Sequence, residues 1–321
     1  MILTREKAVE AARSLVGRWR DDPVLFAREA LGVARLWSRQ EELLRSVAAY
    51  RKVTVASGQK TAKTFSIAIL ALWWALTRPK SRVIILAPSA RQIRVNVWGE
   101  LATLRADSYD RTRSPRALLP LGGEWHESPE SGWAFPNRSE ILGFVSNDPE
   151  RLRGFSGADQ FYIFDEASGV PDPIFKAVDG NLAGGGQLLA ISNPVHGLGW
   201  YGETWSARSR WHKVRISSIE ASNVEPPIRG LATREFIEDK RVEWGESSPE
   251  WYAKILGEFP PSSADGVIPR DLVDAASKRY RATPQVDAPL RVGVDVARFG
   301  DDKSAIVWRR GDWISAPSRR R

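Results

Sequence analysis

Apolar residues recur at helical spacing along the start of the chain, at Ala8, Ala12, Leu15 and Val16 and, after Pro23, at Val24, Leu25 and Ala30. That period predicts a helical lead-in over residues 1–50. Within it a further helix opens near residue 38, with Ser38 as N-cap and Glu41 in the capping-box position. The pattern then changes. Residues 53–56 and 82–88 are nearly continuous apolar runs, suited to strands covered on both faces, and residues 64–77 between them read as a buried helix. Strand, helix and strand in that order predict the start of a parallel sheet. A helix over 89–101 follows, and residues 106–140, richer in Pro, Gly, Ser and Arg, predict loops and short strands. Strand patterns return at 160–165 and 186–192, and residues 199–259 alternate helices with one strand at 212–217. The expected architecture is α/β, a mainly parallel sheet flanked by helices over residues 1–260. Pro260-Pro-Ser-Ser-Ala-Asp-Gly266 opens a linker over 261–289 that contains one helix at 270–280. Residues 290–321 then carry two strands joined by a Gly-Asp-Asp turn.

Composition narrows the classes of function. Lys and Arg outnumber Asp and Glu 47 to 39, giving a net charge of +8, which suits a polyanionic partner without demonstrating one. There is no cysteine, so disulfides, thiolate chemistry and Cys-based zinc sites are excluded. His126, His196 and His212 lie far apart and in no metal-ligand spacing. The longest apolar run, residues 67–76, is about half of the roughly 20 residues a bilayer-spanning helix needs. No signal-peptide pattern opens the chain. These features predict a soluble protein of the cell interior.

Four segments carry chemistry. In residues 53–65 an apolar strand runs through a small, basic turn into a helix. The phosphate-binding pattern G-x-x-x-x-G-K-S/T, aligned on Lys63 and Thr64, puts Ser57 and Ala62 at its glycine positions, with Gly58 one place late. Backbone N–H groups at a helix start, a lysine and a hydroxyl for Mg2+ are what a phosphate requires. Lys60 competes with Lys63 for the lysine role, and an ordinary basic turn has the same composition. The strand at 160–165 ends in Asp165 and Glu166, a pair able to hold a metal shell and to deprotonate an attacking water, or to cap a helix. Ser192 and Asn193, ending the strand at 186–192, are placed to sense a terminal phosphate; an Asn-Pro turn uses the same residues. Arg151 and Arg153 are candidates to stabilise charge on a transferred phosphoryl group. Gln40, just upstream of the loop, is either an adenine contact or a solvated helical residue. Asp295, inside an apolar strand, suggests a metal ligand, since burying a lone carboxylate is costly.

The order and spacing of these segments resemble the large terminase subunit of tailed bacteriophages. The carriers are Trp37 to Leu44, Ser57 to Thr64, Ala87-Pro-Ser-Ala-Arg-Gln92, Phe164-Asp-Glu-Ala167, Ser192-Asn-Pro194, Gly257-Glu-Phe-Pro260 and Val294-Asp295. The resemblance implies a P-loop ATPase of the additional-strand class followed by a ribonuclease H-like nuclease, of which residues 290–321 are the start. It implies ATP and Mg2+ as ligands, with Lys63 and Thr64 on phosphate and metal, Asp165 supporting the metal and Glu166 as the catalytic carboxylate. It further implies translocation of double-stranded DNA into a procapsid. The partners would be a portal protein and a small terminase subunit, in a homo-oligomeric ring, in the cytoplasm of a bacterial host. The nuclease segment stops before a full acidic cluster, so no DNA cleavage is expected from this polypeptide. A catalytically inactive DNA-binding remnant and a helicase-like ATPase are the competing readings.

Overall fold

A computed structural model describes residues 5–110, 112, 117–127, 130–145, 149–152, 155, 159–261, 276, 287–297 and 303–320. The chain forms two compact units, Met1–Pro260 and Pro261–Arg321.

The first unit opens with three helices, α1 (Arg5–Asp21), α2 (Pro23–Glu29) and α3 (Ser38–Ala49). Asp22 caps α2, its carboxylate accepting from the N–H groups of Val24 and Leu25 at 2.9 and 3.1 Å. The start of α3 differs from the expected cap: the cap position is Trp37 and the residue reaching back is Gln40, whose Oε1 accepts from the Trp37 N–H at 3.4 Å. Strand β1 (Lys52–Ser57) then leads through the loop into α4 (Lys63–Thr77) and β2 (Arg82–Ala87). A π-helical turn, Gln92–Val97, precedes α5 (Trp98–Tyr109). Next come β3 (Glu124–His126), β4 (Ser131–Ala134), β5 (Glu140–Val145), β6 (Gln160–Asp165), α6 (Asp172–Asn181), β7 (Gln187–Ser192), α7 (Gly199–Glu203), β8 (His212–Ile216), α8 (Ser218–Ser222) and α9 (Arg234–Trp244).

The strands form one sheet in the order β3-β4-β5-β2-β6-β7-β1-β8. From β5 to β8 every pairing is parallel, and β3 and β4 add an antiparallel hairpin at one edge. The expected strand–helix–strand unit is present, but β1 and β2 are not neighbours, because β6 and β7 insert between them. The short strands expected within 106–140 are β3 and β4, and the regular strand β5 begins where that stretch ends. It is held by its parallel pairing with β2, a contact far away in sequence.

Side-chain alternation along the strands divides the core in two. Val53, Val55, Val83, Ile85, Phe161, Ile163, Leu189 and Ile191 join one cluster with the residues of α1 to α4. Ile84, Leu86, Tyr162, Phe164, Leu188 and Ala190 join the other, with Ile174 and Val178 of α6 and Trp200 of α7. The result is three layers. Helix α4 is apolar nearly all round, from Ile67 through Ala75, so it is buried against the sheet and covered by the helical lead-in. The Trp73 indole N–H donates to the Trp19 carbonyl of α1 at 2.7 Å, fastening that cover.

In the second unit, β9 (Leu290–Asp295) pairs antiparallel with β10 (Ser304–Arg310), as the two apolar runs predicted. The other edge of β10 carries β11 (Trp313–Ile314) and β12 (Ser318–Arg320). Every residue of β9 is exposed. The expected helix at 270–280 lies outside the described residues apart from position 276.

Two glycines bring the loop against the end of the first unit. A Cβ at Gly58 would fall 2.3 Å from Ser218 Oγ and 2.7 Å from the Ile255 carbonyl; Gly257, at φ +65°, faces the Gly58 N–H. Gly58 therefore serves packing within the fold, a role the pattern alone did not separate from phosphate approach. Gly58→Ala is expected to cost about 2 kcal/mol of stability from overpacking, read as a lowered urea midpoint at unchanged slope.

Candidate active site

Three parallel strands deliver the site. In the sheet register Ala56 of β1 lies opposite Ser192 of β7, and Ile191 of β7 opposite Asp165 of β6, so the strands end level with one another. Ligands gather at this carboxyl edge of open α/β sheets. β7 lies between the loop strand and the carboxylate strand, which is the additional strand expected of the class.

The loop is braced from both sides. On the outside the Gly58 N–H donates to the Ile216 carbonyl at 2.8 Å, the Gln59 N–H to the Lys254 carbonyl at 2.6 Å, and the Ala232 N–H to the Lys60 carbonyl at 2.8 Å. On the inside the fully buried Ser57 hydroxyl lies 2.6 Å from the Thr61 hydroxyl. Ser57, standing at a glycine position of the pattern, thus ties the loop to itself. Lys60 and Ala62 both adopt left-handed backbone, at φ 54° and 62°. The turn is therefore made in the glycine-like conformation without glycine. Helix α4 starts after Ala62 with no side-chain cap, so its first N–H groups are left for an anion.

The Lys63 ammonium reaches the residues at the ends of β6 and β7. The Lys63 ammonium donates to Asn193 Oδ1 at 3.1 Å and lies 3.5 Å from Glu166 Oε1. The Lys60 side chain is exposed. Asn193 also donates through Nδ2 to the Ser57 carbonyl at 2.5 Å, so one amide spans the loop and the lysine. The Ser192 hydroxyl donates to Glu166 Oε2 at 3.2 Å. Lys63, Glu166, Ser192 and Asn193 therefore form one connected cluster, as their expected roles require. Thr64 follows in the first turn of α4, half-buried.

The two carboxylates differ in environment. Asp165 is 3% exposed, and its Oδ1 accepts from the Glu166 N–H at 3.1 Å. Burial, reinforced by the Glu166 charge and opposed by Lys63 and that hydrogen bond, pushes the Asp165 carboxyl up to about 6. Glu166 is half-buried and adopts left-handed backbone at φ 52°, uncommon for a residue with a side chain. Asp165 and the Thr64 hydroxyl are hard oxygen donors, and a buried carboxylate holding one hydrogen bond suits a divalent cation. Among the described residues no group of three or more His, Asp and Glu is set for a metal.

The remaining candidates lie elsewhere. Gln40 is buried beneath α4, its Nε2 3.4 Å from Ser66 Oγ, so it supports the helix start and is not the solvated residue of the alternative reading. Arg151 is paired with Glu130 at 2.5 Å, and Arg153 lies outside the described residues. Asp295 is exposed, and it ends β9 rather than sitting mid-strand, so the burial that argued for a metal there is not observed. Sequence reasoning passed over Thr61, Ser168 and Tyr201. The Tyr201 hydroxyl, fully buried below the site, donates to the Val55 carbonyl at 2.7 Å, and burial holds its pKa well above the usual value. Short polar residues next to strand ends were the only signal for the two hydroxyl amino acids.

Residues 58–273 match the family model described as "Terminase large subunit, T4likevirus-type, N-terminal". The chain belongs to this family. A large terminase relative in Enterobacteria phage P7, described as "Probable terminase, large subunit", is 27% identical over 281 residues, 83% of this chain and 54% of that protein. This chain thus spans about half the length of that relative. The large terminase ATPase domain of Thermus phage P74-26 superposes with a TM-score of 0.52 at 19% identity, over 73% of this chain and 97% of the other. The large terminase of the thermophilic bacteriophage D6E gives 0.54 at 13% identity, over 85% and 64%, and its complex with ADP gives 0.52 at 14%. The fold is that of terminase ATPase domains.

Two measurements check this terminase site. The folded Asp165 pKa of about 6 lies above the ordinary 3.8, so the native state keeps the proton that the unfolded chain loses. In metal-free buffer this residue's contribution to stability declines as pH rises from about 4 to about 6 and is level above. Asp165→Asn is therefore expected to be more stable than the parent above pH 6, by roughly 2–3 kcal/mol, and equal to it below about pH 4. Ala62→Gly relieves about 1–2 kcal/mol of left-handed strain and adds about 0.5–1 kcal/mol of unfolded-state entropy, leaving a net gain of roughly 0.5 kcal/mol in denaturant titration.

Proposed function

We propose that this chain is an ATPase that drives double-stranded DNA translocation in phage DNA packaging. The observation that carries the reading is the placement of the Lys63 ammonium between Asn193 and Glu166 at the uncapped start of α4. Family membership and the ADP complex of the D6E terminase support it. The uncapped N–H groups and Lys63 would bind the β- and γ-phosphates, and Thr64 and Asp165 would hold Mg2+. Bound there, the ion offsets charge developing on the transferred phosphoryl. Glu166 accepts a proton from water as the water oxygen bonds to the γ-phosphorus and the bond to the β–γ bridging oxygen breaks, leaving ADP. Arg153 is the candidate to neutralise charge in that step.

The base has a place beside the loop. A cavity of about 610 Å³ is lined by Arg35, Trp37, Arg39, Glu220 and Asn223. The Trp37 indole N–H is buried, with no partner among the described residues. Gln40 on one side reaches Ser66 of α4, and Ser218 on the other donates to the Gln59 carbonyl at 2.7 Å, so both walls are tied to the loop.

The net charge of +8 supports a DNA partner. A portal protein, a small terminase subunit, a ring of copies and the host cytoplasm are the setting the family suggests. We read β9 and β10 as the first strands of a ribonuclease H-like sheet in which Asp295 is a lone acidic group among the described residues.

ATP turnover by the unmutated chain with duplex DNA tests the reading. Lys63→Ala and Glu166→Ala are each expected to lower kcat by at least about 100-fold, and Lys60→Ala to change it by less than about threefold. Absence of any DNA-stimulated turnover in the unmutated chain would favour the inactive remnant. Supercoiled plasmid incubated with the chain and Mn2+ is expected to stay intact; accumulation of nicked circles would refute the nuclease part of this reading.

A further inference from the structure

Ser168 lies two residues beyond Glu166, in the single 3-10 turn Ala167–Gly169, and it addresses one atom twice. Its N–H donates to Ser192 Oγ at 3.2 Å, and its hydroxyl lies 2.7 Å from the same oxygen. A serine hydroxyl has two lone pairs and one proton. The other neighbours of Ser192 Oγ are Glu166 Oε2 at 3.2 Å and the Asn193 carbonyl at 3.0 Å, both acceptors. Among the described residues the Ser168 hydroxyl has no acceptor except Ser192 Oγ. Ser168 therefore fills both lone pairs of Ser192 and leaves the single Ser192 proton to go outward. Of its two destinations, the ionised carboxylate binds about twice as strongly as the neutral carbonyl.

The two oxygens of Glu166 are thereby given different surroundings. Oε2 accepts from Ser192, while Oε1 faces the Lys63 ammonium at 3.5 Å. The backbone under the side chain is fixed, since the Glu166 N–H donates to Asp165 Oδ1 and the Glu166 carbonyl accepts from the Gly169 N–H at 2.9 Å. What remains free is rotation of the carboxylate. A phosphate that draws Lys63 to itself releases Oε1 and leaves Oε2 held. We infer that Ser168 is a positioning residue that acts through Ser192 to anchor Glu166 Oε2, making Oε1 the oxygen that takes the proton from water. This rests on the proposed ATPase reading for its consequence in catalysis, but the anchoring itself is a property of the resting chain.

Two readouts on the full chain separate the inference from that reading. In steady-state ATPase assays, Ser168→Ala is expected to lower kcat about tenfold with KM within about twofold, and Ser168→Thr to restore most of the loss. Adding Ser168→Ala to Ser192→Ala is expected to cost nothing further, because the two act as one unit. Multiplying losses in the double variant, or an unchanged kcat in Ser168→Ala, would overturn the inference. The second readout needs no turnover: a crystal structure of Ser168→Ala without nucleotide. There the Glu166 carboxylate is expected to leave Ser192 and turn to Lys63. A carboxylate that stays within roughly 0.5 Å of its place refutes the anchoring even if the chain proves inactive, and in an inactive chain one that moves supports the anchoring.

Discussion

Asn193 fixes the spacing on which the site depends. Its amide donates to the backbone of the loop strand and accepts from Lys63, so the end of β7 sets how far the loop stands from the carboxylates of β6. A single side chain works in this way because β7 lies between β1 and β6 in a parallel sheet, with all three strands ending level. Parallel neighbours are separated by roughly 5 Å, which places the loop and the carboxylate pair about two strand spacings apart.

The site also stores cost where it acts. Glu166, Ala62 and Lys60 all hold left-handed backbone, and Asp165 is a carboxylate buried with little compensation. Each is unfavourable locally, and together they are sustained by two cores, one on either face of the sheet. The fully buried helix α4 joins the loop directly to the larger of these. Strain beside a ligand site, offset by packing around it, is the usual arrangement in proteins that must respond to what they bind.

The chain made some of this legible and concealed the rest for identifiable reasons. β1, β2, β6 and β7 were readable because parallel strands covered on both faces are apolar without interruption. Glu166, Ser192 and Asn193 stood out because each ends or directly follows such a run, and Lys63 because it occupies the lysine position of the phosphate-binding pattern. Strand order was not, since the insertion of β6 and β7 between β1 and β2 depends on pairings distant in sequence. Asp295 was misjudged by assuming that an apolar strand is a buried one, whereas β9 exposes both faces. The pattern left Lys60 and Lys63 as alternatives because it carries no backbone geometry; the left-handed backbone at 60 and 62 shapes the turn between them.

The hydrogen bonds on the outer side of the loop have a mechanical meaning. The Gln59 N–H is held by the Lys254 carbonyl, and Gly58 packs against Gly257, both within the last few residues before the first unit ends at Pro260. A pull on the polypeptide where it leaves that unit is therefore passed to the phosphate loop through backbone contacts, without crossing the sheet. Force and loop conformation share one short length of backbone.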